Sequence, residues 1–146
     1  MNANCPASIA DKRRELEAAM AALKNSQERL AWVTQRGRAA ASLPATERTD
    51  ANHVEGCLAK TWLVREFADG RCRFRADSES AIIKGIAVLL CDFFSGQTPE
   101  EIMLVDTRFL EEFGITQHLT PNRRNSLSTL FKRIRQFAAD HVLRRA

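Results

Sequence analysis

Asp77-Ser78-Glu79-Ser80-Ala81-Ile82-Ile83-Lys84-Gly85-Ile86-Ala87-Val88-Leu89-Leu90-Cys91-Asp92-Phe93-Phe94-Ser95-Gly96 is the stretch on which the fold turns. Ile82, Ile83, Ile86, Ala87, Leu89, Leu90, Phe93 and Phe94 cover most of the circumference of a helix. A helix apolar nearly all round is enclosed by other elements, so this one is expected at the centre of the core. Asp77 or Ser78 is placed to cap it, and Gly96 stops it just after Ser95. Lys84, Gly85 and Asp92 break the run, and no apolar stretch of the chain is long enough to span a bilayer. Cys91 lies inside the run and reads as an inert core thiol.

Upstream of this helix the periodicity changes. Thr61 to Phe67 has the β-branched and aromatic content of a strand, Asp69-Gly70 is a hairpin signal, and Arg71-Cys72-Arg73-Phe74-Arg75-Ala76 alternates polar with apolar. A two-residue loop would pair Val64 with Arg75 and put Trp62 on the arginine face; the preferred register uses a three-residue loop from Ala68 to Gly70. It pairs Val64 with Phe74 and Trp62 with Ala76, on one dry face. Cys72 alternates with the inward residues and reads as packing. Asn52 to Glu55 is a candidate third strand.

Outside the hairpin the signals are helical. Ser8, with Asp11 three residues on, opens a first helix carrying Leu16, Met20 and Leu23 to about Lys24. Asn25 or Ser26 restarts a second, with Leu30 and Val33 on one face and Gly37 near its end. So short a connection predicts an antiparallel pair. Ala39 to Thr49 reads as a loop. Thr98-Pro99-Glu100-Glu101 is a capped helix start. Thr107 opens another short helix, with Phe109, Leu110 and Phe113 as its apolar side and Gly114 as its stop. Thr120-Pro121 starts the last helix, with a stripe of Leu127, Leu130, Phe131, Ile134, Phe137, Ala138 and Val142. Arg124, Lys132, Arg133, Arg135, Arg144 and Arg145 lie mainly on its other side. Helix pair, hairpin, then helices predicts an α+β fold, a small antiparallel sheet packed on helices. The expectation is one domain over residues 1–146, with residues 1–7 frayed.

Composition narrows the function. Net charge is +4, from 22 Lys+Arg against 18 Asp+Glu, too mild a balance to indicate nucleic acid by itself. The alternative reading is a basic nucleic-acid-binding module built on the hairpin and last-helix arginines; no aromatic interleaving accompanies them. The four cysteines, Cys5, Cys57, Cys72 and Cys91, form no Cys-x-x-Cys pair and no zinc ladder. Cys5 is terminal and incidental. No Cys-His-Asp constellation of a stand-alone thiol enzyme can be assembled. No secretory signal is visible at the N-terminus, and the cytoplasm is the default compartment. His53 lies four residues before Cys57, and two ligands do not make a metal site.

The chemistry concentrates at Asn52-His53-Val54-Glu55-Gly56-Cys57-Leu58-Ala59-Lys60-Thr61-Trp62. Gly56 permits a tight turn closed to other residues. On these residues alone Cys57 is either a small core residue or a thiol presented to a partner. Trp62 reads as a core anchor beside the loop.

Asn52 to Cys57 with Trp62-Leu63-Val64 resembles the Asn-x-Val-x-Gly-Cys…Val-Trp-Leu signature of SufE/CsdE-type sulfur acceptor proteins. Asp77 to Gly85 resembles the family's Asp-Ser-Asp-x-Ala-Ile-Val-Lys-Gly segment. Gly114-Ile115-Thr116-Gln117-His118-Leu119-Thr120-Pro121-Asn122-Arg123 resembles its Gly-Leu-x-x-His-Leu-Ser/Thr-Pro-Ser-Arg segment. Three blocks in order, over about residues 10–140, make the resemblance specific.

The resemblance implies the α+β fold shared with IscU-type cluster scaffolds. It implies that Cys57 accepts a sulfane sulfur from a pyridoxal-phosphate cysteine desulfurase of the SufS/CsdA kind and stimulates that enzyme. The sulfur then passes on toward a scaffold of iron–sulfur cluster assembly. Such an acceptor is an accessory sulfur-transfer protein that forms a cysteine persulfide. It needs no metal and no cofactor, is not itself pyridoxal-phosphate dependent, and involves no nucleic acid and no membrane. The charges nearest Cys57 in sequence are Glu55 and Lys60, which leaves activation of the thiol to the desulfurase's own site. Val54 and Leu58 are placed to shield a persulfide. The chain departs from the family pattern at Leu58 and Ala59, where members carry a polar residue and then serine, and at Thr61, where they carry valine. His118 reads as structural, Arg123 as loop-bracing or partner-facing, and Asp77 as a helix cap.

Overall fold

The computed structural model describes residues 7–57, 59–106, 108, 111, 115–116 and 119–145. Among the described residues five helices and one hairpin make an α+β fold: α1 (Ile9–Ala21), α2 (Ser26–Ala39), β1 (Thr61–Ala68), β2 (Arg71–Ser78), α3 (Ala81–Phe94), α4 (Pro99–Met103) and α5 (Pro121–Arg145). A single 3-10 turn, Ala45–Glu47, lies in the connection from α2 to the hairpin. The short helix expected over Thr107 to Gly114, with Phe109, Leu110 and Phe113, falls outside the described residues. Among the described residues no helix is long and apolar enough to cross a membrane.

The helix starts follow local chemistry. Ser8, Asn25 and Thr98 accept hydrogen bonds from the backbone N–H of Asp11, Glu28 and Glu101, satisfying donors that the first turn leaves orphaned. Thr120 accepts from Arg123 N–H at 3.3 Å at the head of α5. The third helix differs from expectation. Its cap is Ser80, whose Oγ accepts from Ile83 N–H at 3.3 Å, because β2 runs on through Asp77 to Ser78. Asp77 is therefore a strand residue and not a cap.

As its composition demands, α3 is buried on nearly every side: Ile83, Ile86, Ala87, Leu89, Leu90, Cys91, Phe93 and Phe94 are all enclosed. The hairpin covers one flank and α5 another, through edge-to-face contact of Phe94 with Phe131 at 5.5 Å. The third flank is α2, and here two helices come closer than side chains allow. A Cβ on Gly85 would lie 2.2 Å from the Val33 carbonyl oxygen, and one on Gly37 would lie 2.5 Å from Gly85 N. Expected to pair with each other, α1 and α2 instead both lean on α3, and α2 packs chiefly there. A lysine on α1 fastens the far end: Lys12 Nζ donates to the Asp92 and Ser95 carbonyls at 2.5 and 2.7 Å, where α3 runs out of N–H partners.

The hairpin register corrects the sequence reading. Val64 pairs with Arg75, Trp62 with Asp77 and Leu63 with Ala76, across the two-residue turn Asp69-Gly70. Both turn residues have positive φ, 55° and 77°, the backbone of a turn whose twist matches the strands. That turn, rather than the grouping of Trp62 and Val64 with Phe74, sets the register. Leu63, Cys72, Phe74 and Ala76 consequently face the main core. Trp62 and Val64 point to the opposite face, where Leu43 covers them in a small cluster of their own. Asn52 to Glu55 makes no third strand. It contributes one bridge, His53 opposite Trp62, with Val54 N–H donating to the Thr61 carbonyl and Leu63 N–H to that of Asn52, both at 2.8 Å.

Gly85→Ala is expected to lower the unfolding free energy by about 3 kcal/mol, because the added methyl meets backbone that cannot yield. Thermal or urea unfolding of the variant against wild type measures it, and a loss near zero would contradict the close approach of α2 and α3.

Candidate functional site

The chain between α2 and β1 wraps the back of the hairpin and ends in the cysteine turn. Its path is fixed by Asp77, which is 2% exposed. The Asp77 carboxylate accepts from Leu43 N–H at 2.9 Å, Ser78 N–H at 2.8 Å and Arg48 Nη2 at 2.7 Å, and Lys84 Nζ lies 3.4 Å away. Burial alone would push this carboxyl up. The Leu43 and Ser78 amides, with Arg48 and Lys84, outweigh burial and hold it below the usual aspartate value. Arg48 does two further things. Its Nε donates to the Leu43 carbonyl at 3.1 Å, and its guanidinium lies over the Trp62 ring, 5.2 Å from the centroid. Trp62 thus anchors the small cluster and also receives the clasp.

Beyond His53 the chain is pinched between Val54 and Thr61, both essentially inaccessible, and the described residues between them, 55–57 and 59–60, lie in a loop. Gly56 has φ +91°, so the turn is closed to other residues on conformational grounds. Space is not the reason, since among the described residues a Cβ there would meet only Thr129 Oγ1 of α5, at 3.7 Å. Cys57 follows, a free thiol, half-buried and packed against the main core. After it, Ala59 lines an open cleft of about 260 Å³ together with Ser80, Ile83, Asn122, Arg123 and Ser126. Ser80 and Arg123 also line a broader groove of about 780 Å³ running along α2 past Leu30, Ala31 and Arg38. The heads of α3 and α5 therefore meet beside the cysteine loop.

The other residues singled out from sequence separate from this place. Cys72 is wholly buried on the core face of β2, and Cys91 is enclosed within α3, where burial and then the neighbouring Asp92 push its thiol up. His53 meets Trp62 edge-on at 6.4 Å. Lys60 is exposed, and its carbonyl accepts from Glu79 N–H at 3.0 Å. Arg123 reaches the cleft wall. Cys5, Leu58 and His118 lie outside the described residues. Two of the hairpin arginines that a nucleic-acid surface would use are engaged within the protein: Arg75 is held by Glu47 and Glu66, and Arg71 Nη1 donates to the Gly96 carbonyl at 2.7 Å. Sequence reasoning missed the Arg48–Asp77 clasp, whose members are far apart in the chain and carry no local pattern. It also missed the polar part of Thr61, which reads as an ordinary strand residue.

Fold and site together define an α+β protein that, among its described residues, carries one partly exposed thiol on a glycine-permitted turn, with the chain leading to it tied by the ion pair of Arg48 and the buried Asp77. The chain belongs to the SufE family, whose model, described as an Fe-S metabolism associated domain, matches residues 14–138. Among solved structures it is similar to the solution structure of a hypothetical protein from Thermus thermophilus. That likeness has a TM-score of 0.73 at 17% identity, over 90% of this chain and 96% of that one, and it is a likeness of fold.

Because the Asp77 carboxyl is depressed in the folded state, its contribution to stability is complete above the unfolded value of about 3.9 and is lost as pH falls through the lower folded value. Acid titration of Asp77→Asn is expected to show lower stability than wild type at neutral pH, with the difference closing below about pH 4. A constant difference across the range would remove the clasp from the account.

Proposed function

We propose that this protein is a sulfur acceptor and carrier that works on a cysteine desulfurase through Cys57. The observation that carries the reading is the family's glycine–cysteine turn, held here so that the Cys57 thiol is partly exposed while Cys72 and Cys91 are sealed in the core. The membership of the chain in a family associated with Fe–S metabolism supports it.

The chemistry asks little of the acceptor. The Cys57 thiolate attacks the outer sulfur of the desulfurase's cysteine persulfide. A new S–S bond forms on Cys57, the S–S bond of the donor breaks, and the donor cysteine leaves as a thiolate and takes up the proton. No net oxidation occurs, so no electron carrier is needed. Discharge repeats the step, with a downstream thiol attacking the sulfur that Cys57 carries and the scaffold of cluster assembly receiving it. The desulfurase alone holds pyridoxal phosphate, and drawing sulfur off its persulfide is how the acceptor stimulates it. On this reading residues 1–146 are one domain working in the cytoplasm beside its enzyme.

Incubation with a pyridoxal-phosphate cysteine desulfurase and cysteine, followed by intact mass without reductant, tests this directly. Wild type is expected to gain one sulfur atom, removable by reductant, and to speed cysteine turnover; Cys57→Ser is expected to do neither. Sulfur gained equally by Cys57→Ser would move the site elsewhere, and no gain from the desulfurase of the same genome would end the proposal.

A further inference from the structure

We infer that the Thr61 hydroxyl is a positioning residue for Cys57, acting through the Ala59 carbonyl; the inference rests on the reading of Cys57 as the sulfur acceptor. Thr61 has no exposed surface, yet it carries a polar group into the base of the loop. Its Oγ1 donates to the Ala59 carbonyl at 3.0 Å and lies 3.0 Å from Ser78 Oγ, while Ser80 N–H donates to Ser78 Oγ at 3.2 Å.

Donor and acceptor counting fixes the direction of this relay. A carbonyl only accepts, so Thr61 spends its single proton on Ala59. The link between the hydroxyls must then use the proton of Ser78, which is free to donate because Ser78 accepts from the Ser80 amide. The chain runs one way: Ser80 N–H to Ser78, Ser78 to Thr61, Thr61 to the Ala59 carbonyl. Its origin is the residue that caps α3, the most deeply enclosed helix of the fold.

The relay holds the limb of the loop that follows Cys57. Among the described residues of that limb, Ala59 is tied by Thr61 and Lys60 by Glu79 N–H at 3.0 Å. The limb before Cys57 ends at Gly56, where an added Cβ would stand 3.7 Å from Thr129 Oγ1 of α5. Valine has nearly the shape of threonine but no proton to give. With valine at 61, the Ala59 carbonyl and the Ser78 hydroxyl would both lose a partner beside a cleft open to solvent, and the cheapest repair is for the limb to swing toward water.

The test uses the protein alone. Iodoacetamide alkylation is followed at each cysteine by peptide mass for wild type, Thr61→Val, Thr61→Ser and Ser78→Ala. Thr61→Val is expected to speed alkylation of Cys57 about fivefold, with Cys72 and Cys91 still protected. Thr61→Ser should restore the wild-type rate. Ser78→Ala, which leaves the Thr61–Ala59 bond but removes the hydroxyl that donates to Thr61, should fall between them and serves if the valine variant does not fold. With the desulfurase, Thr61→Val should lower the maximal rate of sulfur loading and leave the KM for the acceptor within about twofold, because Thr61 has no exposed surface with which to meet the enzyme. An unchanged Cys57 alkylation rate overturns the inference. So does a rise shared by Cys72 and Cys91, which would mean general loosening. If wild type takes up no sulfur, the acceptor reading fails by that result alone, while the alkylation series still reports on the loop.

Discussion

The contact of two backbones at Gly37 and Gly85 sets the terms for the rest of the molecule. A helix as apolar as α3 has to be covered on all sides, and a chain of 146 residues has few elements with which to do it. Removing side chains at the crossing lets α2 approach until its Val33 carbonyl nearly touches the backbone of α3. One helix then covers a flank that would otherwise need bulky residues and a wider separation. The hairpin and α5 close the remaining flanks through Phe74, Phe94, Phe131 and Phe137, whose rings meet edge to face. With α3 immobilised, its N-terminal end is a firm platform, and the functional loop is built against that end.

Two polar devices connect platform and loop, and they work at different levels. The Arg48–Asp77 clasp governs the long connection from α2, fixing where the chain arrives at Asn52. The hydroxyl relay through Ser78 and Thr61 governs what happens after the pinch at Val54. Neither stabilises by much on its own, because each exchanges hydrogen bonds with water for hydrogen bonds within the protein. What they supply is uniqueness. A buried carboxylate with three donors, or a hydroxyl with one proton and one acceptor, is satisfied in one arrangement and penalised in others.

How much of this was legible follows from the range over which each signal acts. Capping at Ser8 and Thr98 was readable, and at Asn25 as one of two neighbouring candidates with Ser26, because cap and partner are three residues apart. So was the enclosure of α3, which a single helical repeat declares. The hairpin register was not. Alternation in Arg71 to Ala76 shows that two faces differ but not which residues of β1 share them. The decisive facts were the left-handed pair Asp69 and Gly70 and the cover that Leu43 gives to Trp62 and Val64. Leu43 lay in a stretch that reads as a bare loop. Asp77 was misassigned for a related reason: an aspartate ahead of an apolar helix looks like a cap, and only a partner distant in sequence, Arg48, makes it a buried acceptor. At the site, Gly56 and Cys57 were legible by resemblance to a family, whereas the use of Thr61 depends on Ser78 across the strand pair.

Ser95 has a consequence of another kind. Its hydroxyl accepts from Phe74 N–H at 2.9 Å and donates to the Phe74 carbonyl at 3.2 Å, while Gln97 and Gly96 satisfy the amide and carbonyl of Cys72 in the same row. A side chain and two loop residues thereby imitate a neighbouring strand along the outer edge of β2. A two-stranded sheet is the kind of template on which a second chain can add itself, and repeated addition is the route to fibrils. At Cys72 and Phe74 that template is already filled from within, so the hairpin offers no ladder there for another chain to climb.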